Sequence, residues 1–298
     1  TSGKTKIDDI NPLKISDLIV RKEFTSKNEV LFPLIENKII CVTGAGGSIG
    51  SEICLQILKY NPKKLILLER SEINLYKVEQ CILEKGIKNV ELSFVLGCAM
   101  NKKLIEKLFL NEKVQIVFHT AAYKHVPIVE NNPIQGIANN VLSTKVLCEA
   151  CLNSKVENFC LISTDKAVRP TNIMGASKRL AELIVQFYAQ SVNFFEEDKQ
   201  VKSCFSMVRF GNVLDSSGSV VPRFRKQIRE GGPITITHPK ITRFFMTISE
   251  AANLVIESIL YAKGGDLFLL DMGEPILIKE LALQMIKLSG LKIKNSEN

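Results

Sequence analysis

The sequence predicts an α/β fold built on a doubly wound, mainly parallel sheet, with a smaller lobe toward the C-terminus. Three observations carry that expectation. Short apolar runs rich in β-branched residues alternate with helix-periodic segments up to residue 208. Strands that are apolar throughout are buried on both faces, as parallel strands are. The first such run opens directly onto a glycine cluster and a helix, and beyond residue 208 the strand-helix rhythm breaks.

Taken in order, residues 1–36 are polar and weakly periodic, with one amphipathic piece around Leu13 to Val20 and Pro33 near the end, and they read as an arm or linker. Residues 37–208 read as the nucleotide-binding domain. Ile39 to Thr43 is a buried strand and 48–59 a helix, followed by strand 64–68, helix 71–85, strand 90–97, helix 101–110, strand 114–119, helix 134–152, strand 158–163, helix 174–190 and strand 203–208. Strands alternating with helices imply parallel pairing through right-handed crossovers. Residues 209–298 hold a basic amphipathic helix over 220–230, a polar loop with His238, helix 249–262, strand 266–270 and helix 278–289, and read as a lobe interleaved with the last elements of the sheet.

Composition excludes several classes. At 298 residues, 46% hydrophobic and 23% charged, the chain is long and apolar enough for a packed core. No apolar run approaches the ~20 residues that span a bilayer. The net charge of +8 reads as a solvated basic surface, with attraction to an anionic ligand or membrane face as the functional alternative, and no pattern supports nucleic acid. Eight cysteines lie mostly in apolar segments and read as reduced core thiols of a cytoplasmic protein; Cys148 and Cys151 form a CxxC without a second pair, so no metal site is expected. The first residue is Thr, from which a fragment of a longer protein is expected.

Chemistry gathers at three places. Gly44-Ala45-Gly46-Gly47-Ser48-Ile49-Gly50 joins the first strand to the first helix, as in Rossmann-type dinucleotide sites. Gly44 allows the tight turn, Gly47 the close approach of a pyrophosphate, and Gly50 the packing of helix on strand, with the helix N-terminus facing the anion. The second strand ends in Glu69, where a carboxylate holds ribose hydroxyls and favours NAD, while the next two residues, Arg70 and Ser71, leave NADP open. After strand 114–119, small Ala121 and Ala122 let a dinucleotide lie over the strand end, leaving Tyr123, Lys124 and His125 at the rim; His119 reads as a core histidine. Lastly, the strand from Phe159 opens onto Ser163, Thr164, Asp165 and Lys166, and the next helix carries Met174 and Lys178 on one face. Many nucleotide-dependent oxidoreductases have a titratable Tyr at the first of those two positions. Met cannot titrate, so proton transfer falls to Asp165, Lys166, a hydroxyl or water.

The strings TGAGGSIGSE (43–52), HTAAYKHVPIVENNP (119–133), STDKAVRPTNIMGASKR (163–179), RFGNVLDSSGSVVP (209–222) and THPKITRFFMTISEA (237–251) closely resemble the bacterial UDP-N-acetylglucosamine 4,6-dehydratases of surface glycan biosynthesis. These are extended short-chain dehydrogenase/reductase enzymes. The resemblance implies oxidation at carbon 4 by bound NAD, with Lys166 as the base at carbon 5 and Asp165 as the acid at the carbon 6 hydroxyl. Burial and the nearby Lys178 are expected to lower the affinity of Lys166 for its proton. It implies Lys178 on the nicotinamide ribose, Thr164 or a water as relay for the carbon 4 hydroxyl, and Lys124, His125, Arg209, Asn212, Ser219, Val220 and Arg243 as contacts of a UDP-sugar. Arg209 and Arg243, flanked by apolar residues, are expected to point inward. It also implies a homo-oligomer and a membrane-anchored parent whose catalytic part lies at the inner face. Two departures stand out: Gly97-Cys98-Ala99 lacks the adenine-contacting Asp found in members, and the family's Arg-Pro-Gly-Glu-Lys segment does not occur before Asn298, so a truncated lobe is expected. A 4-epimerase or reductase of the same fold and a non-catalytic NAD(P)-binding scaffold are the rival readings.

Overall fold

The computed structural model describes residues 24, 28–87, 89–195 and 203–292. The backbone divides into a larger unit, Thr25–Phe210 with Ala251–Leu270, and a smaller one that joins Gly211–Glu250 to the segment from Asp271.

In the larger unit the strands are β1 (Ile39–Thr43), β2 (Lys64–Glu69), β3 (Glu91–Leu96), β4 (Ile116–His119), β5 (Asn158–Ile162), β6 (Cys204–Arg209) and β10 (Asp266–Leu269). They form one sheet in the order β10-β6-β5-β4-β1-β2-β3, every pair parallel. This is the expected doubly wound α/β sheet. Its strand order reverses between β1 and β4, and in such sheets the crevice beyond the strand ends at that point takes the ligand. The strands are apolar because helices cover both faces: α2 (Ser48–Ile57), α3 (Glu72–Leu83), α4 (Lys102–Glu112), α7 (Ser143–Asn153) and α8 (Ile173–Phe195). Phe109, Phe159 and Phe205 anchor one core layer with Leu147, Ala181 and Val185. Helix starts follow local chemistry: the Ser71 and Asn101 side chains cap α3 and α4 by accepting from Asn74 N and Leu104 N.

Two stretches differ from the sequence reading. Residues 28–35, read as arm, form helix α1 (Asn28–Ile35) in spite of Pro33. Leu31 and Ile35, one turn apart, are fully buried. Burying two such side chains contributes roughly 1.5–3 kcal/mol each, enough to offset the ~3 kcal/mol cost of an interior proline. The piece around Leu13 to Val20 lies outside the described residues. The single helix expected over 134–152 is preceded by an extra helix α5 (Val126–Asn131) and is itself divided into α6 (Pro133–Ile137), a π-helical turn Ala138–Leu142 and α7. Buried polar residues cause the widening: Asn139, Asn140 and Ser143 all face partners on neighbouring segments or the preceding turn.

The smaller unit contains β7 (Asn212–Val213) paired with β9 (Phe245–Met246), β8 (Thr242–Arg243) paired with β11 (Ile276–Leu277), and helices α9 (Val220–Arg229) and α11 (Ile278–Leu288). Its core is Leu214, Val221, Phe224, Phe245, Leu281 and Met285. Helix α10 (Ile248–Tyr261) carries the chain back to the sheet at β10.

Candidate active site

Two loops leave the sheet where its order reverses, and they are locked together. Gly44 has φ +67°, and a Cβ there would stand 2.7 Å from the backbone of Ala121. The Thr120 hydroxyl donates to the carbonyls of Thr43 (2.7 Å) and Gly44 (3.1 Å). A Cβ on Gly50 would lie 2.2 Å from the Gly44 oxygen, so only glycine lets α2 start so close to β1. Gly47 is the N-cap of α2, with extended backbone and no side-chain cap, and Ser48 and Ile49 open the helix. The first turn therefore presents backbone N–H groups and the positive end of the helix dipole. A Cβ on Gly47 meets only the Gly44 oxygen, at 3.2 Å. This donor set fits a pyrophosphate.

Glu69, at the end of β2, is buried and accepts from Gly46 N (3.1 Å) and Ser71 N (2.9 Å). Arg70 and Ser71 are both committed within the protein. Ser71 caps α3, while Arg70 Nη1 donates to the Tyr123 hydroxyl (2.6 Å) and Asn139 Oδ1 (3.2 Å), with its guanidinium 5.4 Å from the Tyr123 ring centre. Tyr123 is fixed in turn by Asn140, which accepts from its N–H at 2.7 Å and donates to its carbonyl at 3.0 Å. Ala121 and Ala122 are partly exposed beside it, and Lys124 and His125 are exposed, His125 as the N-cap of α5. His119 is a core histidine: Nδ1 sits 2.7 Å from the Thr43 hydroxyl and Nε2 3.3 Å from that of Ser143. Burial, with Lys178 adding to it, draws its pKa down to about 3.

The turn after β5 holds Thr164, Asp165 and Lys166. Thr164 opens a 3-10 turn over Asp165–Ala167. Asp165 Oδ1 accepts from Lys166 Nζ and from the Thr164 hydroxyl, each at 2.9 Å, and both charged side chains are about one-third exposed, 32% for Lys166 and 39% for Asp165. Gly175 lets α8 lie against this turn, since a Cβ would stand 2.2 Å from the Lys166 carbonyl oxygen. Met174 is buried. Lys178, one turn on, donates from Nζ to the Ile162 carbonyl at 2.6 Å, and burial lowers its pKa to about 8 although Glu182 works the other way. Lys166 thus has the Asp165 carboxylate beside it, and desolvation lowers the pKa of Lys178 and of Lys124.

Arg209 takes a different place from the one expected. Its guanidinium grips Glu182 through Nε (2.7 Å) and Nη2 (2.5 Å), so it points inward but onto a carboxylate of the protein. Burial works against the charge of Glu182, but hydrogen bonds from Arg209, Ser163 and Arg179 outweigh it and hold the carboxyl below the usual range. Sequence reading passed over Glu182. The signal was there: a carboxylate four residues after Lys178, on a helix face shared with Ala181 and Val185, must find a partner. Cys148 and Cys151 are buried in α7, their thiols pushed well above the ordinary range by burial.

In the smaller unit, Asn212 lies in β7, its N–H on the Phe244 carbonyl at 3.1 Å. Ser219 is the N-cap of α9 with Val220 next, and its buried hydroxyl has no hydrogen-bond partner among the described residues. Arg243, expected to point inward, is exposed, its Nη1 on the Thr242 carbonyl. Strand β8 is only two residues long and exposed at both, so no apolar layer covers it.

Residues 40–298 match a family described as polysaccharide biosynthesis protein. The chain belongs to that family. It is 44% identical over 291 residues to the capsular polysaccharide biosynthesis protein CapD of Staphylococcus aureus, covering 98% of this chain and 47% of that protein. An uncharacterized membrane protein of Methanocaldococcus jannaschii is 43% identical over 83% of this chain and 70% of its own length. A UDP-glucose 4-epimerase of Rickettsia akari is 34% identical over 78% of this chain and 65% of that protein. The chain thus spans about half the length of CapD. Among solved structures, Pen from Bacillus thuringiensis superposes with a TM-score of 0.77 at 32% identity, covering 86% of this chain and 77% of Pen. The dTDP-glucose 4,6-dehydratase DesIV from Streptomyces venezuelae, solved with NAD bound, superposes with a TM-score of 0.70 at 18% identity over 85% and 81% of the two chains, which shows a shared fold.

Proposed function

We propose that this polysaccharide biosynthesis protein is an NAD-dependent nucleotide-sugar 4,6-dehydratase acting on UDP-N-acetylglucosamine. The observation that carries the reading is the Asp165–Lys166 pair in the turn after β5, with Met174 at the position where a redox-only enzyme of this fold needs a titratable Tyr. The dinucleotide would be held by the N–H groups from Gly46 to Gly50, by Glu69 at the ribose, by the small residues Ala121 and Ala122, and by Lys178 at the second ribose. Arg70 and Ser71 are spent on Tyr123, Asn139 and the cap of α3, which supports NAD over NADP.

When bound, the nicotinamide would supply hydride acceptance at sugar carbon 4 and hydride donation at carbon 6. The protein moves the protons. A ketone at carbon 4 acidifies the hydrogen on carbon 5, Lys166 removes it as a neutral amine, and Asp165 as a neutral acid protonates the departing hydroxyl of carbon 6. The 2.9 Å contact between the two makes that state accessible in one step: a single proton passing from Lys166 Nζ to Asp165 Oδ1 turns an ion pair into an amine and an acid. Thr164, donating to the same oxygen at 2.9 Å, is the group placed to pass the carbon 4 hydroxyl proton on to solvent. As the hydride reaches carbon 6 the Lys166 ammonium returns a proton to carbon 5, and the pair then regains one proton from solvent. Within the smaller unit, the N-terminus of α9 with the Ser219 hydroxyl suits a diphosphate oxygen.

The similarity to a UDP-glucose 4-epimerase supports a second reading, in which the same carbon 4 oxidation is followed by hydride return to the opposite face. Incubation with UDP-N-acetylglucosamine and NAD in deuterated water separates the two. Loss of one water with deuterium at carbon 5, abolished by Lys166→Ala, supports the dehydratase; an inverted carbon 4 without mass change overturns it. The same proposal extends to the setting. A membrane-anchored parent with this domain at the cytoplasmic face agrees with the membrane-protein relative; no helix among the described residues is long and apolar enough to cross a membrane. A homo-oligomer is supported by Leu180, Leu183 and Phe187, an exposed apolar stripe at helical spacing along α8.

A further inference from the structure

The reactive turn is held from behind by a charge that takes no part in the chemistry proposed above. The Glu182 side chain is fully buried, and its carboxylate collects Arg209 from β6, Arg179 from its own helix and the Ser163 hydroxyl from the end of β5. The backbone repeats the same connection. Ser163 N donates to the carbonyl of Val208 (2.7 Å) and Asp165 N to that of Phe210 (3.1 Å), the two residues that flank Arg209. One turn earlier on α8, Lys178 grips the carbonyl of Ile162, the residue before Ser163. Ile162, Ser163 and Asp165 are therefore tied to Lys178, Glu182 and the segment around Arg209.

We propose that Glu182, clamped by Arg209, is the positioning residue of this site: it aligns the Thr164-Asp165-Lys166 turn through Ser163 and sets a negative charge one helical turn from Lys178. A buried carboxylate costs several kcal/mol unless fully partnered, and a fully satisfied network of this kind fixes geometry rather than adding stability. The other charged or titratable groups around Lys178 do not substitute for it. Arg179 and Arg209 are cations, His119 from β4 stays neutral, and Asp165 is engaged with Lys166. The inference rests on the proposed reaction only in what the turn and the ammonium are used for.

Lysine labelled with carbon-13 at Cε provides the test, because each amine reports its own protonation in the NMR spectrum, and Lys178→Arg and Lys166→Arg spectra assign the two signals. In Glu182→Gln, which keeps the size and the hydrogen bond but removes the charge, the Lys178 midpoint is expected to fall by about one unit, the low end for losing an opposite charge nearby. In Ser163→Ala, which leaves the ion pair intact and carries the test if the first variant fails to fold, the Lys166 signal is expected to move toward that of solvent-exposed lysines. In the same variant kcat is expected to fall tenfold or more with NAD affinity unchanged. Lowered melting temperatures with both lysine signals and kcat as in the parent would overturn the proposal and leave a purely structural ion pair. Lysine signals that move as expected in a protein that turns over no UDP-sugar would overturn the proposed reaction and leave this inference standing.

Discussion

Replacing Lys178 by Met tests the physical state of the amine that is expected to hold the cofactor. Lys178 is nearly fully buried, and burial takes its pKa from 10.5 to about 8. Below pH 8 the folded protein carries an ammonium that water would rather solvate. Between about 8 and 10.5 the unfolded chain binds more protons at this residue than the folded one, so the folded state gains stability as pH rises, by about 1.4 kcal/mol per pH unit. Met fills the same volume without a charge and removes that dependence. It also leaves the Ile162 carbonyl without its 2.6 Å donor, a cost of about 1–3 kcal/mol that does not vary with pH. The difference between the two proteins isolates the lysine, because every other titrating group is common to both. Urea unfolding at pH 7.5, 8.5, 9.5 and 10 should show the Met variant losing about 2 kcal/mol relative to the parent across that range, together with loss of NAD binding by calorimetry. A stability difference that stays constant with pH would refute the claim that Lys178 is strained by burial.

The other expectations can be checked with the same preparations. Gly50→Ala forces a Cβ to within 2.2 Å of the Gly44 oxygen and should destabilise by roughly 1–3 kcal/mol, whereas Gly47→Ala, with extended backbone and a 3.2 Å neighbour, should keep the melting temperature within a few degrees yet weaken NAD binding at least tenfold. Gly175→Ala pushes on the Lys166 carbonyl and should lower kcat while NAD affinity in calorimetry stays unchanged. His119 is folded as a neutral ring with its pKa at about 3, so stability present above pH 6.5 drains away as pH falls toward 3; His119→Asn should flatten this acid limb by about 2 kcal/mol between pH 6.5 and 5, measured by denaturant midpoints. Arg70→Ala removes a contact with Tyr123 rather than with a ribose phosphate, so NAD and NADP affinities should change by the same factor; a selective effect on NADP would assign Arg70 to the cofactor.

How far the sequence reaches depends on how local the determining interaction is. The seven parallel strands, the glycine turn and the run from Ser163 to Lys178 are legible because each rests on contiguous residues: apolar runs buried on both faces, a close-packed turn of glycines from Gly44 to Gly50, and a helix spacing of four between Met174 and Lys178. Helix α1 escaped because two buried side chains, Leu31 and Ile35, outweigh a proline that by itself argues for a break. The π-helical turn at 138–142 escaped because its cause, the buried amides of Asn139 and Asn140, lies in partners such as Tyr123 that are distant in sequence. The partner of Arg209 was not legible for the same reason. An arginine at the end of an apolar strand points inward on either account, and only the packing of α8 against β6 puts Glu182, rather than a ligand, in front of it. The chain by itself thus determined the sheet, the nucleotide loop and the contiguous run that carries Thr164, Asp165 and Lys166, since these follow from periodicity and backbone freedom. Tertiary structure decided the partners of the charged groups, because a buried charge is set by whichever opposite charge the fold brings within hydrogen-bonding distance.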